Sequence, residues 1–358
     1  MTAPATVFAL AMLLLLAAPL AVDADTAADS ELSYYNQLDA NGRALYDAVK
    51  GADAETLELT VQLPMPITAN STNRPLSEVT EDLRETVHQT WIRAKNALWV
   101  GEPMAIWLWH GSDARLEESV AVAMPNGTYR VSELSLKLDL IDTCPYRDDP
   151  ATVDVNERQQ KIDAVLKAVD DFESKSTDVR GKVADINRYL VDSVTYDPDF
   201  KNSAKKSPYD HDAYGALVDN DAGKRYAVCE GYSKAFQLLA DKLGLTTMTV
   251  FGTAAPSLEA HAWNYVLMDD GKWYAVDTTW NDGKGNAYFL VGYKTFFQDH
   301  YPSSFVTGEV MQFNYPVLSE DKYDSDPASY MGFTWVAYVV IGAIIVAALY
   351  VMVRRGAN

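Results

Sequence analysis

Two cysteines in 358 residues are too few for a disulfide framework or a four-thiolate zinc site, so the fold must stand on its apolar core. Basic residues are also scarce: 30 Lys and Arg against 50 Asp and Glu leave a net charge of −20. That balance provides no basic face for phosphates and excludes nucleic acid as an expected partner. The histidines are His88, His110, His211, His261 and His300; none forms a ligand pair at short spacing, and no calcium-loop pattern occurs. No metal and no cofactor is therefore expected. No internal repeat is found, and no low-complexity tract away from the ends. The rest, 48% hydrophobic and 22% charged, has the composition of a globular protein.

Charge is missing from both ends in longer stretches. Val7 to Leu20 is apolar around Leu13–Leu16, and small residues at Val22 and Ala24 suit cleavage before Asp25. Residues 1–24 thus read as a signal peptide, although no Lys or Arg precedes the apolar run and an uncleaved anchor is the alternative. Phe333 to Val353 is an uncharged run of 21 residues, close to the roughly 20 that cross a hydrocarbon core. Trp335, Tyr338 and Tyr350 stand near its ends, Arg354 and Arg355 follow, and Asp321, Asp324 and Asp326 precede. The expectation is a single-pass transmembrane helix at 333–353 with a cytoplasmic tail at 354–358 and everything from residue 25 outside. Two sequons, Asn70-Ser71-Thr72 and Asn126-Gly127-Thr128, fall in that outer part.

Between the ends, residues 25–149 and 150–325 read as two domains. The first shows helical spacing through Leu45, Tyr46 and Val49 and again from Glu78 to Ala97, where Val79, Leu83, Val87 and Trp91 recur at every fourth position. Strand-like runs follow at Met104–Trp109, Ser119–Ala123, Tyr129–Val131 and Leu134–Leu140, with Pro125-Asn126-Gly127 as a hairpin turn. This is a small α+β module without a catalytic cluster, in which Trp107 and Trp109 read as core. The link Cys144-Pro145-Tyr146-Arg147-Asp148-Asp149-Pro150 is polar and broken by two prolines, as a domain boundary would be. Helices at about Asn156–Lys175 and Asp178–Val194 open the second domain.

The chemistry gathers between Tyr214 and Trp280. Cys229 follows the strand-like Tyr226-Ala227-Val228 and opens a helical pattern through Tyr232, Phe236, Leu239 and Leu243, which Gly244 ends. A cysteine in a first helical turn faces unpaired N–H groups and the positive end of the macrodipole, which stabilise the nucleophilic thiolate. Farther on, His261-Ala262-Trp263-Asn264-Tyr265-Val266-Leu267-Met268 and Lys272-Trp273-Tyr274-Ala275-Val276-Asp277 flank Asp269-Asp270-Gly271, a hairpin. With Gly271 in the left-handed position, Met268 pairs with Lys272, which sets Asp277 opposite Trp263 and one diagonal from His261. A carboxylate there can hold one imidazole N–H and fix the tautomer. Cys229, His261 and Asp277 would then be nucleophile, base and orienter. A two-residue turn would instead throw Asp277 to the opposite face.

Tyr226-Ala-Val-Cys229-Glu-Gly-Tyr-Ser-Lys-Ala-Phe236, His261-Ala-Trp-Asn264 and Trp273-Tyr-Ala-Val-Asp277-Thr-Thr-Trp280 together resemble the transglutaminase-like superfamily over roughly residues 180–300. Val194-Thr195-Tyr196-Asp197 and Tyr214-Gly215-Ala216-Leu217-Val218 are similar to its prokaryotic members. The resemblance implies an α+β papain-like core, in which a helix bearing the Cys packs on an antiparallel sheet bearing the His and Asp. It also implies acyl transfer on protein or peptide amides through a thioester on Cys229. Hydrolysis is the expected outcome, with cross-linking and a catalytically silent surface binding module as alternatives. The Cys229 N–H is one natural oxyanion donor, and Tyr214 or Tyr226 is a candidate second. Glu230 reads as a carboxylate favoured by the helix dipole, and Trp263 and Trp280 as packing that keeps water out.

Overall fold

A computed structural model describes residues 32–324, except 53–57, 105–112, 117–120, 140, 143–150, 153–154, 202–208, 303–304, 307–308 and 311–312. The apolar ends read as signal and anchor, the link with Cys144, and Trp107 and Trp109 lie outside the described residues. Among the described residues no helix is long and apolar enough to cross a membrane.

In chain order the first part comprises α1 (Ala40–Lys50), β1 (Glu58–Asn70), α2 (Leu76–Gly101), β2 (Asp113–Leu116), β3 (Val122–Ala123), β4 (Thr128–Asp139), β5 (Ile141–Asp142) and β6 (Ala151–Thr152). Helix α1 starts where the Asp39 side chain accepts from the Gly42 N–H, one of the donors a helix start leaves open. The every-fourth apolar residues of α2, Val79, Leu83, Val87 and Trp91, are all buried, as their spacing requires. Two expected strands are one: Tyr129–Val131 and Leu134–Leu140 merge into β4, because Ser132 and Glu133 keep the alternation going. Antiparallel to β4 runs β1, a strand that the sequence reading omits. Pro64 and Pro66 interrupt its pattern, and the ladder accommodates them by shifting register between Gln62 and Ile67.

The second part comprises α3 (Val155–Asp171), α4 (Val179–Ser193), β7 (Val194–Tyr196), α5 (Ala213–Leu217), β8 (Arg225–Ala227), α6 (Cys229–Lys242), β9 (Thr247–Ala254), β10 (Glu259–Leu267), β11 (Trp273–Val276), α7 (Thr278–Lys284), α8 (Tyr293–Phe296), β12 (His300–Pro302), β13 (Phe305–Val306) and β14 (Glu309–Val310). A sheet in the order β11-β10-β9-β12 carries α6 on one face. Leu134 and Leu136 of the first part share one apolar cluster with Met248, Val250, Trp263 and Ala275 of that sheet. A second cluster, around Val183, Ile186, Leu190, Phe236 and Leu239, lies between α4 and α6.

The β10–β11 hairpin has the expected register. Asn264 pairs with Val276 and Leu267 with Trp273, and the Met268 N–H donates to the Lys272 carbonyl at 2.9 Å. Gly271 takes φ +74°, which an Asp-Asp-Gly loop of this kind needs at its last position.

Buried polar bonds lock α6 to the sheet. Asn264 Nδ2 donates to the Ser233 carbonyl at 3.0 Å and to Thr249 Oγ1 at 3.2 Å, and Thr249 Oγ1 donates to Gln237 Oε1 at 2.6 Å. A loop at 210–212 presses on the first turn of α6, where the Val228 N–H donates to the Asp210 carbonyl at 2.7 Å. Gly231 makes that approach possible: a Cβ there would stand 2.5 Å from the Asp210 carbonyl oxygen and 2.9 Å from that of Asp212. Both obstacles are backbone, so Gly231→Ala is expected to lower stability by about 1–3 kcal/mol through overpacking. Thermal unfolding against wild type measures this; an unchanged midpoint would show that the loop gives way freely.

Candidate active site

Cys229 is the first residue of α6 and is half-buried with a free thiol. Its backbone enters the helix straight from β8, so the thiol stands where the helix N–H groups are open. The parallel pairing of β7 with β8 sets Tyr196 beside Ala227, two residues before the cysteine. His261 lies on β10, opposite Gly252 of β9. Asp277 lies just beyond β11 and acts as the N-cap of α7, where its Oδ1 accepts from the Trp280 N–H at 3.0 Å. The aspartate therefore stands one residue past the sheet rather than within it, held by a helix start.

Its other oxygen, Oδ2, lies 2.8 Å from His261 Nε2, and both side chains are buried. Burial works against the charge on Asp277, but the charge and hydrogen bond of His261, followed by those of His300, hold its carboxyl well below the usual range. Burial likewise opposes the imidazolium of His261. The Asp277 charge and hydrogen bond outweigh it, and a side-chain hydrogen bond with Cys229 adds to them, raising His261 to about 10. With Nε2 committed to Asp277, Nδ1 is the nitrogen left for the thiol.

Aromatic rings close around this pair. The Trp263 and Trp280 centroids lie 5.9 and 5.4 Å from that of His261, and Trp263 has no exposed surface. Gly252 allows the fit, since a Cβ there would come within 2.5 Å of the Trp263 ring.

Glu230 is buried beside the cysteine and makes an ion pair with Lys234 Nζ at 2.7 Å and a contact with His211 Nδ1 at 3.1 Å. Burial opposes its charge, but Lys234 and His211 prevail and lower its pKa to about 2. It is a paired structural carboxylate, more than the dipole partner its position in the first turn suggests.

Of the two candidate oxyanion tyrosines, Tyr214 packs edge-on against Tyr209 with centroids 4.9 Å apart, and Tyr226 pairs with Thr195 between β8 and β7. A third tyrosine, Tyr196, is set beside Ala227, two residues before Cys229, by the β7–β8 ladder. Burial first, then the charges of Cys229, Asp210, Glu259 and Asp277, push its phenol well above the ordinary value. Its place in the Val194-Thr195-Tyr196-Asp197 block was the one signal for it in the sequence.

His300 is a second addition. Its Nε2 lies 3.0 Å from the same Asp277 Oδ2 that His261 holds, and it is wholly buried. Asp277, His261 and His300 bring their donor atoms within 4.8 Å of one another, the one such group among the described residues with the donor types of a cation site. The separations of 2.8 and 3.0 Å are those of hydrogen bonds, and a cation would have to replace both of them.

Among solved structures, the chain is similar to a TGase with 21% identity, over 46% of this chain and 45% of that one, at a TM-score of 0.28. It is also similar to a candidate cysteine protease from Cytophaga hutchinsonii (18% identity, 47% and 65% of the two chains, TM-score 0.25). A third is the periplasmic domain of TgpA from Pseudomonas aeruginosa (15% identity, 48% and 68%, TM-score 0.23). The matched region thus spans less than half the length of the first of these. No match was found among curated proteins. Residues 167–278, which carry Cys229, His261 and Asp277, match the transglutaminase-like superfamily and form a transglutaminase-like core of mixed helix and sheet.

Proposed function

We propose that this chain is a thiol acyl-transfer enzyme acting on protein or peptide amides, with Cys229 as nucleophile, His261 as general base and acid, and Asp277 as the residue that orients His261. The observation that supports this best is the buried 2.8 Å bond from His261 Nε2 to Asp277 Oδ2, with Cys229 among the groups that raise the same imidazole. A protonated His261 beside Cys229 stabilises the thiolate, the nucleophilic form of the thiol. The thiolate attacks the amide carbonyl, and His261 passes its proton to the leaving amine. The thioester is then opened by water, which His261 deprotonates in turn. The Cys229 N–H at the helix start is the backbone donor proposed for the oxyanion, and Tyr196, which the β7–β8 ladder sets beside Ala227, is the side-chain donor proposed to join it. Hydrolysis is preferred because water needs no binding groove, whereas cross-linking requires a second one for the amine.

The test uses a thiol-directed activity probe and a set of quenched fluorescent peptides, with and without a primary-amine acceptor. Labelling that disappears in Cys229→Ala, together with peptide cleavage, supports the hydrolytic reading. Amine incorporation in place of cleavage would move it to cross-linking, and equal labelling of wild type and Cys229→Ala would leave a binding module.

The location proposed is a membrane surface, with the catalytic part outside the cytoplasm. The support is the uncharged run Phe333–Val353 followed by Arg354 and Arg355. A chain ending near Asp326 is expected to move from the membrane pellet to the soluble fraction once residues 1–24 are removed. Retention in the pellet would place the anchor elsewhere.

A further inference from the structure

We propose that His300 is a positioning residue of the site, an imidazolium clamped between Asp277 and Asp299 that holds the Asp277 carboxylate in place for His261. This rests on the reading of Cys229, His261 and Asp277 given above and adds a fourth member to it.

Each ring nitrogen of His300 faces a carboxylate. Nε2 lies 3.0 Å from Asp277 Oδ2, and Nδ1 lies 2.6 Å from Asp299 Oδ1. Two bare lone pairs cannot face each other at such distances, so a proton stands in each gap. Asp277 Oδ2 already accepts from His261 Nε2, and a carboxylate oxygen taking two N–H donors is best served as an anion. On the other side, the Tyr288 hydroxyl donates to Asp299 Oδ2 at 2.5 Å, which again favours the ionised carboxylate. Both protons therefore belong to the ring, and His300 is a cation with no exposed surface.

Burying a cation is expensive unless it is paired, and here the pairing is complete. Among the described residues, the titratable groups facing His300 are Asp277, Asp299, the Tyr288 ring at 5.1 Å and His261 at 5.5 Å between centroids. Two carboxylates against two imidazoliums leave the cluster neutral. The remaining neighbours are apolar or neutral rings that keep water away: Phe296 stacked at 4.0 Å, Trp280 at 4.4 Å and Trp263 at 5.2 Å. Strand β12 sets the ring there by pairing His300 with Ala254 at the edge of the sheet.

A second cation on the shared carboxylate has a consequence for His261. It draws on the same oxygen and repels the His261 imidazolium, so His261 gives up its proton more readily than it would beside Asp277 alone. A base that binds its proton too tightly transfers it poorly, and His300 counters that tendency.

The test is the pH profile of Cys229 alkylation by iodoacetamide, which needs no knowledge of the substrate, measured on the full chain. The alkaline limb, where His261 loses its proton, is expected to move up by roughly one pH unit in His300→Gln, since a neighbouring positive charge has gone. Asp299→Asn, at a partly exposed position, should move the limb the same way and covers the case in which His300→Gln does not fold. With a cleavable peptide, kcat should fall by roughly tenfold at unchanged KM, the order seen for outer-shell partners that touch no substrate. A limb that stays in place in both variants, whatever their stability, overturns the inference and leaves the three-residue site standing. A wild-type thiol that alkylates without any pH limb of its own, as fast as an unstructured cysteine, would take down both.

Discussion

Cys229→Ala is expected to fold normally and lose all measurable turnover. The thiol is half-buried at a helix start, and the change removes one atom from a position where alanine is a good helix former. Its effect on stability should stay within about 1 kcal/mol. Under the proposed mechanism the chemistry loses the sulfur that carries the acyl group, so no thioester can form. Intact-protein mass spectrometry after a slow peptide or ester substrate should show an acyl adduct in the wild type and none in the variant. A further effect separates a true Cys–His pair from a passive neighbour. The hydrogen bond with Cys229 is part of what raises His261 to about 10, so His261 should titrate at lower pH in Cys229→Ala. Histidine proton shifts followed from pH 5 to 11 would read this directly. Residual turnover comparable to wild type would remove Cys229 from the mechanism.

The parts of the site that the sequence made legible are those held by local patterns. Asp269-Asp270-Gly271 between two aromatic and β-branched runs has few other ways to fold, and the resulting register carries Asp277 to His261. The helix that Cys229 opens was equally legible, because Gly244 marks its end with φ +69°. Tyr196 and His300 were not, because pairings between distant segments deliver them. Tyr196 arrives through a three-residue parallel ladder with β8, too short to leave an alternation. His300 stands 23 residues from Asp277 on a three-residue edge strand that ends in Pro302, and its partner Asp299 is the adjacent residue. Spacing rules for metal or catalytic clusters look along one helix or one hairpin, and this group spans a hairpin, a helix cap and a sheet edge. Strand β1 escaped for the opposite reason, since two prolines disguised a strand that the β4 ladder supports.

Asp277→Asn is expected to lower kcat by about three to four orders of magnitude and to change how stability depends on pH. Asp277 accepts from three donors: Trp280 N–H at Oδ1, and His261 and His300 at Oδ2. An asparagine has one acceptor oxygen for these two sides. If its oxygen turns to the imidazoles, its NH2 faces the Trp280 N–H and the cap of α7 is lost. If it turns to the cap, its NH2 faces His261 Nε2, which must then accept. The His261 proton moves to Nδ1, where it can no longer receive one from the thiol; loss of the correct tautomer is costly on that scale. Removing one partner of a buried ion pair also costs about 3–5 kcal/mol of stability. The sign with pH follows from the two shifts. Asp277 is depressed, so its contribution is present above its unfolded value of about 4 and disappears as pH falls toward its folded value. His261 is raised to about 10, so its contribution is full below its unfolded value of about 6.5 and disappears as pH rises through 10. The stability gap between wild type and Asp277→Asn should therefore be widest between about pH 4 and 6.5 and narrow steadily on the alkaline side. Chemical denaturation at several pH values measures it. A gap that is constant from pH 5 to 10 would mean that the His261–Asp277 pair is not ionised, and near wild-type turnover in the variant would remove Asp277 from the site.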